Sequence, residues 1–155
     1  MKKLVLFLLG LSLSASVTAQ TSQEQAIEYD KRTVQGVSIM VPSYSVDLVK
    51  AALQQRLEKG ATLKGSNSKG WRIYLAQQFS EIGSMNFDIY TQVTTVGKKS
   101  TQSTIIYFLV SKGNENFVTS ITDPEIIENV KKFLNGFVTY LREYDINQKI
   151  LEQYL

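Results

Sequence analysis

Residues 71–110 read WRIYLAQQFSEIGSMNFDIYTQVTTVGKKSTQSTIIYFLV and contain three runs rich in apolar side chains. The first two runs alternate, and the apolar residues of one parity are Trp71, Ile73, Leu75 and Phe79, then Met85, Phe87, Ile89 and Val93. The third run, 104–110, is almost continuously apolar, and the turn at 96–100 separates it from the second. This alternation is typical of strands with one buried face. We therefore expect an antiparallel meander of three or four strands.

A strand and a helix are predicted upstream of the meander. Residues 33–41 are rich in β-formers, and Pro42 ends the run. Ser45 is a good N-cap, apolar residues recur at 46, 49, 53 and 57, and Gly60 follows. The pattern predicts an amphipathic helix over 46–59.

A second helix is predicted to begin at the sequence Asp123-Pro124-Glu125. This triplet combines a capping acceptor, a proline at the first helical position and an acidic first turn. Apolar residues then recur every three or four positions from Ile127 to Tyr144. Such a broad apolar stripe is typical of a helix that packs on a sheet.

The predicted fold class is α+β: an antiparallel β-meander of four to five strands with two helices on one face, in the order β-α-β-β-β(-β)-α. Over Val34 to Tyr144, and with the Ala19-Gln20 junction upstream, this order resembles the TATA-box-binding-protein-like β-α-β4-α fold. That fold also occurs in families of uncharacterised exported proteins of Bacteroidetes-like bacteria. The resemblance implies no known activity, and the name of the fold does not imply DNA binding.

The first 19 residues have the pattern of a signal peptide. Lys2 and Lys3 precede an apolar run over 4–13, and small residues lead to Ala19. The alternatives are an uncleaved anchor or a buried core helix, but the run is shorter than the roughly 20 residues that a spanning helix needs. We expect a periplasmic or secreted protein that meets the membrane only transiently and, having no cysteine, is not a lipoprotein. The predicted organisation is a signal peptide over 1–19, a loose polar leader over 20–32, the α+β domain over 33–144 and a C-terminal helical extension over 145–155. A strand near Ile27 to Tyr29 is an option left open within the leader.

The composition excludes several classes of chemistry. The chain has no histidine and no cysteine, so Ser-His-Asp and Cys-His catalysis, Cys/His zinc sites and haem ligation by those residues are unavailable. Cleavage after Ala19 would leave 15 basic residues against 14 acidic ones. A nearly neutral chain gives no electrostatic basis for binding nucleic acid. We expect no metal, no cofactor and no nucleic-acid partner.

Two surfaces are candidates for binding. If Trp71 and Ile73 face the helices, then the alternate residues form a band on the opposite face, made of Arg72, Tyr74, Asp88, Tyr90 and Tyr107. Such a band suits a glycan, a peptide or another envelope protein. The alternative is ordinary cross-strand tyrosine pairing on a solvated sheet.

The second surface is the C-terminal extension. Beyond Tyr144 the apolar stripe narrows to a seam made of Ile150, Leu151, Tyr154 and Leu155. A narrow seam is what a partner helix buries, so self-association through this helix is one possible role. The alternatives are a frayed tail, or a break at Asp145 with a short helix folding back.

The function predicted from the sequence is that of an exported, non-catalytic binding or interaction module in the bacterial envelope. The alternative is a small hydrolase with a carboxylate-based site at the sheet edge, for example Asp88 with Glu81. A Ser-Lys dyad from the polar turn at 66–69 is a further option. Carboxylate catalysis needs two acids held about 5 to 9 Å apart in a cleft, and nothing in the sequence places any pair so. No residue is assigned a catalytic role.

Overall fold

The computed structural model describes residues 21–154, which form an α+β fold with a six-stranded antiparallel sheet and two helices. The strands are β1 (Gln23–Tyr29), β2 (Arg32–Met40), β3 (Ser66–Ser68), β4 (Trp71–Gln78), β5 (Asn86–Val96) and β6 (Ser103–Ser111). The helices are α1 (Val46–Gln55) and α2 (Pro124–Glu152). The strands lie in the order β1-β2-β6-β5-β4-β3. The α+β class and the antiparallel meander are confirmed, but the sheet has six strands rather than four to five.

The predicted leader over 20–32 contains one of the extra strands. β1 pairs with β2 along its whole length, from Gln23 opposite Ser38 to Tyr29 opposite Arg32. The two residues of the connecting turn, at 30 and 31, have φ values of 46° and 64°, the left-handed conformations that a two-residue hairpin turn requires. A strand was expected only near Ile27 to Tyr29, whereas β1 covers most of the leader, because the hairpin ladder and the burial of Ile27 and Tyr29 outweigh the polar composition of the segment.

Helix α1 forms where the sequence predicts it. The Ser45 hydroxyl accepts a hydrogen bond from the backbone N–H of Leu48 at 3.3 Å and so caps the first turn. The helix buries Val49 and Leu53 against the sheet. Its final turn widens into a π-helical turn over Arg56–Gly60.

Helix α2 begins at Pro124 as predicted, but one predicted detail is wrong. The Asp123 side chain does not bond to the N–H groups of the first turn; it forms an ion pair with Lys112, from the loop after β6. The helix runs without a break for 29 residues. Its buried residues are Ile127, Val130, Phe133, Leu134, Phe137 and Leu141.

Both helices cover the same face of the sheet, which we call the helix face; the opposite one is the far face. The main core lies between the helices and the helix face. Its strand residues include Val37, Ile39, Tyr74, Phe87, Ile89, Ile106 and Phe108. A smaller cluster lies on the far face and contains Ile27, Tyr29, Trp71, Tyr90 and Leu109. The sheet is therefore buried on both faces, but by different partners.

A β-bulge in β4 reverses part of the predicted alternation. The register with β5 shifts between Tyr74 and Gln77, and Ala76 within the shift has φ +50°. Because the bulge inserts an extra residue, Tyr74 and Phe79 both lie in the main core although they have opposite parity. The prediction assumed unbroken alternation from Trp71 to Phe79, and it is therefore wrong for the first half of β4.

Candidate functional site

The predicted band on the sheet does not exist as an open surface. Arg72 and Tyr74 lie on the helix face, because they precede the bulge, and Tyr74 is fully buried in the main core. Tyr90 is on the far face as predicted but is only 4 % exposed. Tyr107 also packs against the far-face cluster. The Asp88 carboxylate accepts a hydrogen bond from the backbone N–H of Ala76 at 2.8 Å, which holds the bulge.

The far face is closed at one end because the sheet curls until its outer strands meet. Tyr29 on β1 and Trp71 on β4 are separated in the sheet by three strands, yet their ring centroids are 5.5 Å apart in an edge-to-face arrangement. Tyr29 also contacts Tyr90, at 5.2 Å, and Phe117 of the loop after β6, at 5.3 Å. This packing removes the tyrosines from ligand access.

Charged side chains at the turn tips hold the closed end together. Lys69, in the turn before β4, lies 2.8 Å from the Asp30 carboxylate in the turn after β1. Arg32 forms an ion pair with Glu115, whose carboxylate also accepts a hydrogen bond from the Tyr29 hydroxyl at 3.1 Å. The ammonium of Lys69 is thus engaged in an ion pair, which argues against a Ser-Lys dyad in this turn.

The helix face carries a groove that the sequence analysis did not predict. This α1 groove lies between α1 and strands β4 and β5, is open to solvent and encloses a volume of about 340 Å³. Its apolar lining includes Leu53, Trp71, Tyr74 and Val93. The polar lining residues are Lys50, Gln54, Asn67, Arg72, Thr91 and Gln92. An apolar floor with a few convergent polar groups is typical of a small-molecule site.

Arg72 is held rigidly in the wall of the α1 groove. Its Nε donates a hydrogen bond to Glu58 Oε1 at 2.8 Å, and Nη1 donates one to Asn67 Oδ1 at 3.1 Å. The guanidinium also lies over the Tyr74 ring, 6.0 Å from its centroid. Glu58 reaches Arg72 from the π-helical turn at the end of α1, so that turn positions the groove.

Tyr74 is a hydrogen-bond donor in this network and not a base. Its hydroxyl donates to Glu58 Oε1 at 3.4 Å. Burial, together with the nearby Glu58 carboxylate, raises the pKa of Tyr74 to about 12, against the opposing effect of Arg72. The phenol therefore stays protonated at neutral pH.

A second, shallower groove lies between the end of α1 and α2, with a volume of about 300 Å³. Arg56 crosses it, with Nη2 2.5 Å from Glu81 Oε1 and its guanidinium over the Phe133 ring at 5.4 Å. Glu81 is thus paired with an arginine, whereas Asp88 is bonded to the backbone of the β4 bulge. The two carboxylates named for a hydrolase site have separate partners.

The C-terminal end of α2 extends past the main core. The helix continues through Asp145 without a break, so the predicted alternative of a short helix folding back is wrong. Ile150, Leu151 and Tyr154 are 45 %, 58 % and 85 % exposed, and Ile146 is 50 % exposed. Leu155 lies outside the described residues. The seam is present as a surface, and its role in association stays a prediction.

Sequence reasoning missed Lys50 and Gln54 as groove residues and Glu58 as the residue that holds Arg72 in the groove wall. They recur at intervals of four along α1 and so form one polar row beside the apolar stripe. That row could have indicated a polar surface along one side of α1. Nothing in the sequence, however, indicated the bulge that turns Arg72 toward it.

Residues 21–154 contain neither a helix suited to span a membrane nor a cluster of acidic side chains suited to hold a metal ion. Neither helix there is long and apolar enough to cross a membrane. In the same range, no three acidic side chains lie close enough together to hold a metal ion.

Comparison of the chain with known protein families, curated proteins and solved structures found no significant match. The resemblance to the TATA-box-binding-protein-like fold therefore stays a prediction.

Proposed function

We propose that this chain is an exported, non-catalytic binding module of the bacterial envelope and that the α1 groove is its ligand site. The single observation that carries the proposal is the groove itself, in which an apolar floor meets several polar side chains. Its volume of about 340 Å³ lies within the range of small-molecule sites. The far face, by contrast, is closed at one end by its own aromatic cluster. Export is supported by the signal-peptide pattern of residues 1–19.

The partners of the acidic side chains support a role without catalysis. Glu58 accepts hydrogen bonds from Arg72 and Tyr74, Glu81 pairs with Arg56, and Asp88 caps the bulge. A carboxylate pair working as acid and base needs two groups whose environments push their pKa values apart within one cleft. The carboxylates named here are each committed to a separate structural contact.

The test is to map binding by NMR on residues 20–155, using four small probes. They are N-acetylglucosamine, N-acetylmuramic acid, N-acetylphenylalanine and N-acetylphenylalaninamide. We expect at least one probe to shift the amide resonances of α1, β4 and β5 around the groove. Shifts confined to the far face, or no shifts with any probe, would contradict the proposal.

A matched pair of variants localises the binding. Gln54→Trp places a large side chain at the mouth of the groove, and Gln153→Trp places the same side chain on the exposed residue after α2. We expect Gln54→Trp to abolish the shifts and Gln153→Trp to leave them unchanged.

A further inference from the structure

We infer that the ligand of the α1 groove carries a single carboxylate and that this carboxylate pairs with Lys50. The inference rests on the proposed function, because it names the ligand class of the same groove. It follows from the charges that line the groove and from which of them are already compensated.

The charge of Arg72 is compensated within the fold. Its guanidinium donates to the Glu58 carboxylate from Nε at 2.8 Å and also forms an ion pair with it through Nη2. Asn67 takes a further donor at 3.1 Å. The Arg72–Glu58 pair therefore adds no net charge to the groove and leaves Arg72 few free donors.

Lys50 is the second cationic residue in the groove lining, and its charge is not compensated by an ion pair within the described part of the chain. It lies on the exposed side of α1 and lines the groove. Among residues 21–154 no carboxylate lies within 4 Å of its ammonium. A lysine is a compact charge on a flexible stem, so it can reach a ligand without a fixed geometry. One uncompensated positive charge suits a monoanion, whereas a phosphate dianion would leave negative charge without a partner.

The remaining lining indicates the body of the ligand. Leu53 and Val93 are apolar lining residues, whereas the Trp71 ring packs on the far face and the Tyr74 ring is fully buried. Side-chain amides and the hydroxyl of Thr91 line the same space and can bond to amide or hydroxyl groups. A compact ring or acylated amine with one carboxylate fits this description. Such a group occurs both in sugar acids and at peptide C-termini.

The test is an NMR titration of residues 20–155 that follows the amide resonances of α1, β4 and β5 around the groove and yields the Kd of each probe. Each carboxylate probe has a neutral counterpart of similar body: N-acetylmuramic acid with N-acetylglucosamine, and N-acetylphenylalanine with its amide. In at least one pair we expect the carboxylate to bind roughly 2- to 5-fold more tightly, as for a partly exposed ion pair. The pair that shows the preference identifies the source as sugar or peptide.

Three variants assign the preference to residues. Lys50→Met should abolish the carboxylate preference, and Glu58→Gln should increase it by removing the charge that compensates Arg72. Lys132→Met is the control, because Lys132 is also an exposed helical lysine but lines the second groove. Affinity for the neutral probes reports whether each variant keeps the groove intact.

The outcomes separate the two proposals. If neutral probes bind in the groove as tightly as carboxylates, or if Lys50→Met keeps the preference, the inference is wrong and the proposed function stands. If no probe binds in the groove, the proposed function itself fails.

Discussion

The helix face and the far face both bury aromatic side chains, but they are covered by different means. On the helix face, α1 and α2 cover the strands, and the core includes Phe79, Phe108 and Phe133. On the far face no helix is present among residues 21–154; the sheet covers part of itself by bringing Tyr29 against Trp71. With both helices on one face, the far face would be expected to be open, but it is closed at one end. The ligand-sized groove lies on the face that the helices cover.

The largest expected effect comes from the main core. Phe108→Ala removes a side chain that is 1 % exposed and packs against the Phe133 ring at 5.6 Å. We expect a loss of about 3–5 kcal/mol in the free energy of unfolding, measured by urea denaturation.

Its neighbour Leu109 is fully buried on the far face and provides the comparison. Leu109→Ala should cost less, about 2–3 kcal/mol, because the smaller cluster beside solvent can relax around the gap. If Leu109→Ala costs as much as Phe108→Ala or more, the far face is as rigid a core as the helix face.

The next effect appears at alkaline pH. Burial raises the pKa of Tyr74 to about 12, from an ordinary value of 10. The protonated phenol therefore contributes stability that is fully present below pH 10 and is lost as the pH rises toward 12. We expect wild type to lose about 2–3 kcal/mol more over this range than Tyr74→Phe does.

Tyr154→Phe is the control for this comparison, because Tyr154 is 85 % exposed. Its free energy of unfolding, measured by urea denaturation, should fall with pH over this range by as much as that of wild type. An identical alkaline loss in wild type and Tyr74→Phe would show that the helix-face phenol is not buried as described.

Two glycine substitutions should have smaller effects, and the first of them tests how tightly the far face is packed. A Cβ at Gly36 would lie 2.2 Å from Leu109 Cδ2 and 2.8 Å from Ile27 Cδ1. Gly36→Ala should therefore destabilise the protein by about 1–3 kcal/mol through overpacking. Gly136 lies inside α2, and a Cβ there meets nothing within 4 Å. Gly136→Ala should stabilise by about 0.5–1 kcal/mol.

Thermal and urea unfolding measure the change in the free energy of unfolding of each alanine variant, which should be a loss for Gly36→Ala and a gain for Gly136→Ala. A neutral Gly36→Ala would mean that the far-face cluster is loosely packed beside β2. The closed end of the far face would then not be a tightly packed second core.

The smallest expected effect concerns the ion pair at the closed end. The hydrogen bond and charge of Lys69 lower the pKa of Asp30. The stability that this carboxylate contributes is present above its ordinary pKa of 3.8 and is lost as the pH falls through the lowered value. Lys69→Met should therefore unfold slightly more easily than wild type at neutral pH and equally easily at pH 2. A difference that persists at pH 2 would assign the effect to packing of the lysine stem.

Much of the fold could be predicted from local patterns. Ser45 and Gly60 bound a helix by capping and termination, alternation located β5, and a nearly continuous apolar run located β6. The failures arise where tertiary contacts override composition. Residues 23–29 are polar on average but form a strand, because Ile27 and Tyr29 find partners across the curled sheet.

The candidate site was only partly predictable. Arg72 and Tyr74 were selected as ligand residues, and they do line a groove, but on the opposite face from the one expected. The cause is the bulge at Ala76, whose left-handed φ is not indicated by an alanine in a strand. The curl that buries Tyr90 depends on contacts between residues more than 50 positions apart, such as Tyr29 with Phe117, and no local pattern encodes them.

The α1 groove is tested most directly by a crystal structure of residues 20–155 with the tighter-binding carboxylate probe. We expect the probe in the α1 groove, with its carboxylate at the Lys50 ammonium and its body against Leu53 and Val93. A probe bound on the far face, or a groove left empty at a saturating concentration of the probe, would contradict this expectation.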